Sequence, residues 1–275
     1  MKVCFEYFNS SKLLNDVDEL KIKYDDQDVQ LIDFLERHSH QRTILDIQDI
    51  DNFNRLQEWR KLNAIKAKYP HFNIALMFHP GSTRQVPKEM LDTINKLDNI
   101  PYFFEFFVTT WEQLHYLISL RVSDVYLTED MCFELEAAKA LCSAKGVSIR
   151  AFPNIAQSSV WDSPAPAKFF IRPEDLDFYS QYIDTIEFWG DPLKQDVFYH
   201  IYCVSKRWIG ELNVIVADLN ATFNNSGILP LFAQTRANCG KQCMRGKRCA
   251  ICFKLDSLSN TLKDKGISVK VKKKH

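Results

Sequence analysis

Four cysteines fall within fourteen residues, Cys239, Cys243, Cys249 and Cys252, spaced C-x3-C-x5-C-x2-C. A thiolate is a soft, anionic ligand. Four of them close a tetrahedral site around zinc or anchor an iron–sulfur cluster. Gly240 and Gly246 allow tight turns around such a centre, and Lys241, Arg245, Lys247 and Arg248 offset the charge of the sulfurs. Zinc is the expected metal, because closed four-sulfur sites with a C-x2-C pair are commonly structural zinc; an iron–sulfur cluster is the alternative. The competing readings are four reduced surface thiols or two disulfides, and disulfides need an oxidising compartment. Cys4, Cys132, Cys142 and Cys203 stand in apolar surroundings and read as buried free thiols.

A second set of chemical groups lies in or just after apolar runs. Glu6 stands between Phe5 and Tyr7, Glu105 between Phe104 and Phe106, and Glu187 between Ile186 and Phe188. A carboxylate among apolar residues is costly unless paired, and burial raises its pKa toward values suited to proton transfer. Asp46 ends another apolar run, and His79 follows one and precedes Pro80-Gly81. Arg172 offers a bidentate clamp for a carboxylate or an anionic substrate. These six, Glu6, Asp46, His79, Glu105, Arg172 and Glu187, are the candidate catalytic residues. The competing reading for each is a structural ion pair or a side chain facing a covering helix.

Periodicity places these residues at the ends of strands. Apolar runs at 3–8, 43–47, 72–78, 102–108, 122–127, 147–152, 168–171 and 185–189 read as strands. Helical spacing recurs at 29–37, 53–69, 87–97, 110–120, 130–145, 172–182 and 197–205. Thr110 is a helix cap, Gly146 a helix stop and Pro70 another. About eight alternations predict a parallel sheet with covering helices, as a (β/α)8 TIM-like barrel of class α/β over 1–206. A six-unit doubly wound sheet is the rival. No Gly-x-Gly-x-x-Gly follows a strand, which counts against dinucleotide binding. Residues 207–235 read as an added helix (208–219) and loop packed on the barrel, and 236–275 as the cysteine-rich metal-binding tail.

Formal charge sums to zero over 275 residues, but unevenly. Residues 236–275 hold twelve Lys and Arg against two Asp, a net of +10; the rest holds 23 basic against 33 acidic residues, a net of −10. A basic tail on an acidic body points to phosphate contact, with Lys241, Arg245, Lys247 and Arg248 as nucleic-acid contacts. No apolar run reaches the ~20 residues of a membrane helix. The start has no signal-peptide pattern, so an intracellular, reducing location is expected: the cytoplasm, of a bacterial host if the chain is phage-encoded.

The segment Lys168-Phe-Phe-Ile-Arg-Pro-Glu-Asp-Leu-Asp-Phe-Tyr179, then Thr185-Ile-Glu-Phe-Trp189 and Asn238 through Cys252, resembles an uncharacterised protein family of tailed bacteriophages, over roughly residues 120–255. That resemblance implies no activity. A barrel followed by clustered cysteines is also similar in architecture to the collagenase-like peptidase family, whose better understood members are iron–sulfur RNA-modifying hydroxylases. The cysteine spacing differs, so no residue role carries over. The expected function is an enzyme acting on nucleic acid or an anionic, phosphorylated substrate. The alternative is a non-catalytic phage accessory or assembly protein that binds nucleic acid or protein through a zinc-stabilised basic tail.

Overall fold

The computed structural model describes residues 1–7, 13–24, 28–81, 85–127, 131, 134–155, 170–188, 190–217, 225 and 233. Among the described residues nine strands form one sheet: β1 (Lys2–Glu6), β2 (Glu19–Lys23), β3 (Arg42–Ile47), β4 (Ile74–Phe78), β5 (Tyr102–Phe104), β6 (Phe107–Val108), β7 (Asp124–Leu127), β8 (Ser148–Ala151) and β9 (Thr185–Glu187). Every pairing is parallel, in the order β5-β4-β3-β2-β1-β9-β8-β7-β6. The helices are α1 (Asp28–Arg37), α2 (Ile50–Arg55), α3 (Glu58–Lys68), α4 (Lys88–Ile94), α5 (Trp111–Ser119), α6 (Leu135–Ala144), α7 (Leu176–Tyr179) and α8 (Pro192–Tyr199). The fold is α/β, with a curled, barrel-like parallel sheet and helices between its strands.

The curl is visible in contacts between strands that are not neighbours. Arg42 on β3 reaches Asp124 on β7, and Arg150 on β8 reaches Glu19 on β2. One side of each strand therefore faces an interior lined by Cys4, Glu19, Lys21, Arg42, Ile44, Met77, Phe103, Asp124, Tyr126, Arg150 and Glu187. The alternate residues meet the helices: Phe5 packs edge-on against Tyr199 of α8, and Phe78 against Phe53 of α2. Burial on both sides is why β4, Ile-Ala-Leu-Met-Phe, is a continuous apolar run. The two ends of the sheet, β5 and β6, belong to one run of chain interrupted at Glu105 and Phe106. Ser123, just before β7, donates both its N–H (2.8 Å) and its hydroxyl (3.1 Å) to the Tyr102 carbonyl.

Local signals act as the sequence suggests at several helix ends. Thr110 caps α5 in a full capping box with Gln113. Gly146 leaves α6 at φ +69°; Asp191, which the sequence reading did not single out, caps α8 with Pro192 at its first turn.

Several expectations need correction. Residues 19–23, outside every expected strand, form β2. Phe170 and Ile171, expected in a strand, carry none, although Ile171 N–H still donates to the Pro153 carbonyl; Lys168 and Phe169 lie outside the described residues. The helix expected at 53–69 is two, α2 and α3, broken where Gln57 turns left-handed at φ 54°. The helix expected from 197 begins at Pro192 and continues as a π-helical stretch, His200–Ser205. The helix expected at 208–219 is one 3-10 turn, Leu212–Val214, among the described residues. Among the described residues no helix is long and apolar enough to cross a membrane.

Candidate functional site

The interior divides into two levels. Deep inside, Arg150 is completely buried and donates to Glu19 (2.6 Å), Asp124 (3.3 Å) and Glu187 (3.3 Å). Arg42 holds Asp124 with both guanidinium nitrogens (2.9 and 2.6 Å), and Lys21 pairs with Glu187. The Tyr126 hydroxyl donates to Glu187 (2.7 Å). Phe103 lies under both guanidinium groups, 5.2 Å from Arg150 and 5.9 Å from Arg42. Three carboxylates thus meet three cations, so the buried charge is compensated. Burial would raise the Asp124 pKa, but the hydrogen bond from Arg42 and the charge of Arg150 outweigh it and hold it at about 2. Burial pushes the Cys4 thiol up, with the Glu187 charge adding to it, so this interior thiol is inert.

Above this level, at the carboxyl ends of β3, β4 and β5, Asp46, His79 and Glu105 come together. Asp46 meets His79 at Nε2, and Glu105 meets it at Nδ1, 2.5 Å away. Gln48 donates to the second Asp46 oxygen at 3.2 Å. Burial disfavours the charged imidazole, yet the hydrogen bonds and charges of Asp46 and Glu105 prevail and push the His79 pKa up to about 9. His79 is therefore an imidazolium at neutral pH. The three side chains open progressively: 7% of Asp46 is exposed, 27% of His79 and 35% of Glu105.

The sequence positions follow from register. Asp46 ends the inward row Arg42, Ile44, Asp46. His79 continues the inward row of Ala75 and Met77 one step past β4 and before the Pro80-Gly81 turn. Glu105 interrupts the run between β5 and β6, where its N–H still donates to the Phe78 carbonyl. Glu6 ends β1, half-buried and in register with Lys21.

The structure thus joins three of the six candidate catalytic residues directly. Glu187 lies on the level below, tied to Lys21, Tyr126 and Arg150. Arg172 is buried in a bidentate pair with Asp175 (2.6 and 2.7 Å), so its fork is occupied by its own chain. Cys239, Cys243, Cys249 and Cys252, with Lys241, Arg245, Lys247 and Arg248, lie outside the described residues. Cys4 and Cys142 are buried free thiols and Cys203 is half-buried; Cys132 is outside the description.

Lys21, Tyr126 and Arg150 went unrecognised in the sequence, though signals existed. Arg150 stands between Ile149 and Ala151, the same pattern that marked Glu105 and Glu187, and Glu19, Lys21 and Lys23 alternate with Leu20 and Ile22. The His79 ring lies between its two carboxylates, so the three do not converge on one point. Among the described residues no three His, Cys, Asp or Glu side chains form a group that could hold a metal ion.

Next to Asp46 lies a cavity of about 220 Å³ lined by Lys23, Tyr24, Gln48, Asn52, Phe53 and Glu58, among others. It sits where the chain leaves β2 and β3. No protein-family model matches the chain, and no curated protein matches it.

Proposed function

We propose that the chain is an α/β-barrel enzyme that transfers protons at Asp46–His79–Glu105, acting on a nucleic acid or a related phosphorylated substrate. In this reading the sheet is a closed eight-position barrel, with β5 and β6 as two halves of one strand and the Ser123–Tyr102 hydrogen bonds beside the join. The catalytic cluster then occupies the carboxyl-end face, where barrel enzymes work.

The observation that carries the proposal is the geometry: an imidazole held between one buried and one accessible carboxylate. Asp46, fixed by Gln48, orients the ring through Nε2. Glu105 is the partner that a substrate can displace, because it is the more exposed of the two. His79 Nδ1–H then faces a substrate oxygen as general acid or as a hydrogen-bond donor to developing negative charge, and Glu105 is placed to accept a proton.

The cysteine tail fits the same reading. Four thiolates at the spacing of Cys239, Cys243, Cys249 and Cys252 suit zinc, which would gather Arg245, Lys247 and Arg248 against phosphate. Elemental analysis of the full chain should give about one zinc, lost in Cys249→Ser. Iron with sulfide would select the cluster instead, and a metal-free protein would remove the metal from the proposal.

The catalytic reading is tested by expressing the full chain or His79→Gln in bacterial cells and comparing digested RNA and DNA by mass spectrometry. A nucleoside mass change present with the natural chain and missing with His79→Gln supports it. Identical profiles, with nucleic-acid binding that depends only on residues 236–275, would leave the binding or assembly role, in which the barrel is a scaffold.

A further inference from the structure

We propose that the cavity beside Asp46 is a base-binding subsite, which takes a single nucleobase next to the His79 centre; this rests on the nucleic-acid reading above. Position is the first argument. Gln48 lines the cavity and also donates to Asp46 at 3.2 Å, so one side chain joins the cavity to the reacting cluster. A ligand seated there is separated from Asp46 by the Gln48 side chain alone.

Size is the second. At about 220 Å³ the cavity is below the roughly 300–1,000 Å³ typical of sites for drug-sized ligands. It suits one planar ring system.

Chemistry is the third. The Asn52 carbonyl oxygen already accepts from Arg55 at 2.6 Å, which leaves its NH2 group to donate. Gln48 spends one N–H on Asp46 and keeps its carbonyl oxygen to accept. A donor and an acceptor lining one cavity are what the edge of a base can meet, since it carries both. Glu58 is 2% exposed, and its carboxylate is held by the Tyr24 hydroxyl (2.7 Å) and Lys61 (2.7 Å). It forms a fixed acidic wall rather than a mobile one. Tyr24, half-buried and braced edge-on by Phe53 at 5.9 Å, supplies an aromatic surface for stacking. Lys23 is exposed at the rim, a cation for the attached phosphate.

The test titrates the full chain with the 5′-monophosphates of adenosine, cytidine, guanosine and uridine, followed by calorimetry or NMR, with ribose 5-phosphate as the control for phosphate alone. At least one nucleotide should bind with a Kd at or below about 1 mM, and ribose 5-phosphate at least ten-fold more weakly. Asn52→Leu should weaken the nucleotide at least ten-fold. The proposal is overturned if no nucleotide binds more tightly than ribose 5-phosphate, or if Asn52→Leu binds unchanged while folded by circular dichroism. A failed subsite with a persisting His79-dependent nucleoside change would leave the catalytic reading intact. Nucleotide binding without that change would leave the subsite and remove the catalysis.

Discussion

The deep interior and the strand-end cluster use the same residue types to opposite effect. In the interior, Glu19, Asp124 and Glu187 face Lys21, Arg42 and Arg150, and no side chain of the six is more than 12% exposed. At the strand ends, two carboxylates share one imidazolium, and exposure rises from Asp46 to Glu105. Compensated, sealed charge holds a geometry; it has no spare valence for a substrate. Charge that is unbalanced and partly open can exchange a partner for a ligand. The difference teaches that buried charge alone does not single out a candidate site in this molecule; exposure and an incomplete balance do.

The largest effect should come from breaking the sealed network. Arg150→Leu leaves Glu19, Asp124 and Glu187 short of one cation and should cost about 3–5 kcal/mol, read from urea unfolding. A loss below about 1 kcal/mol would mean that the interior carboxylates are already neutral. Next, Arg42→Leu and Asp124→Leu should each destabilise by a few kcal/mol, about as breaking any buried pair does. The double variant should cost less than the sum, with a coupling of about 0.5–3 kcal/mol; simple additivity would show that the pair does not act as a unit.

The two levels should also separate by pH. Asp124 has a depressed pKa, so its contribution is present above about 3.8 and is lost as pH falls toward about 2. His79 has a raised pKa, so its contribution is full below about 6.5 and fades as pH rises through about 9. The stability difference between the natural chain and His79→Gln should therefore be on the order of 1 kcal/mol at pH 6 and near zero above pH 9. A difference that is flat over that range would refute the shared proton. The smallest effect is expected for Glu105→Gln. Its side chain is a third exposed, so stability should change by under about 0.5 kcal/mol. The His79 pKa, followed by NMR, should nevertheless drop, because one of its two carboxylate partners is gone.

Much of the frame was legible in the chain. Alternating strands and helices marked a parallel α/β fold. The cap at Thr110 and the stop at Gly146 were readable because such signals act within a few residues. The cluster was half legible. Asp46, His79 and Glu105 stood out as polar groups at the ends of apolar runs. β2 was not legible as a strand, because its inward row, Glu19, Lys21 and Lys23, is charged where the usual pattern is apolar. The expected strand through Phe170 and Ile171 had the right composition and no ladder to join.

The sequence by itself thus determined where strands could end and which polar side chains would stand there, since both depend on neighbours along the chain. The tertiary structure alone decided which face of each strand turned inward and which charges became partners. Glu187 and Arg172 show the consequence. Both were credible pocket acids or clamps, yet Glu187 is compensated by Lys21 and Arg150, and Arg172 is taken by Asp175. The physical reason is that a buried charge is only as reactive as its balance, and that balance is made by residues up to 166 positions away in the chain.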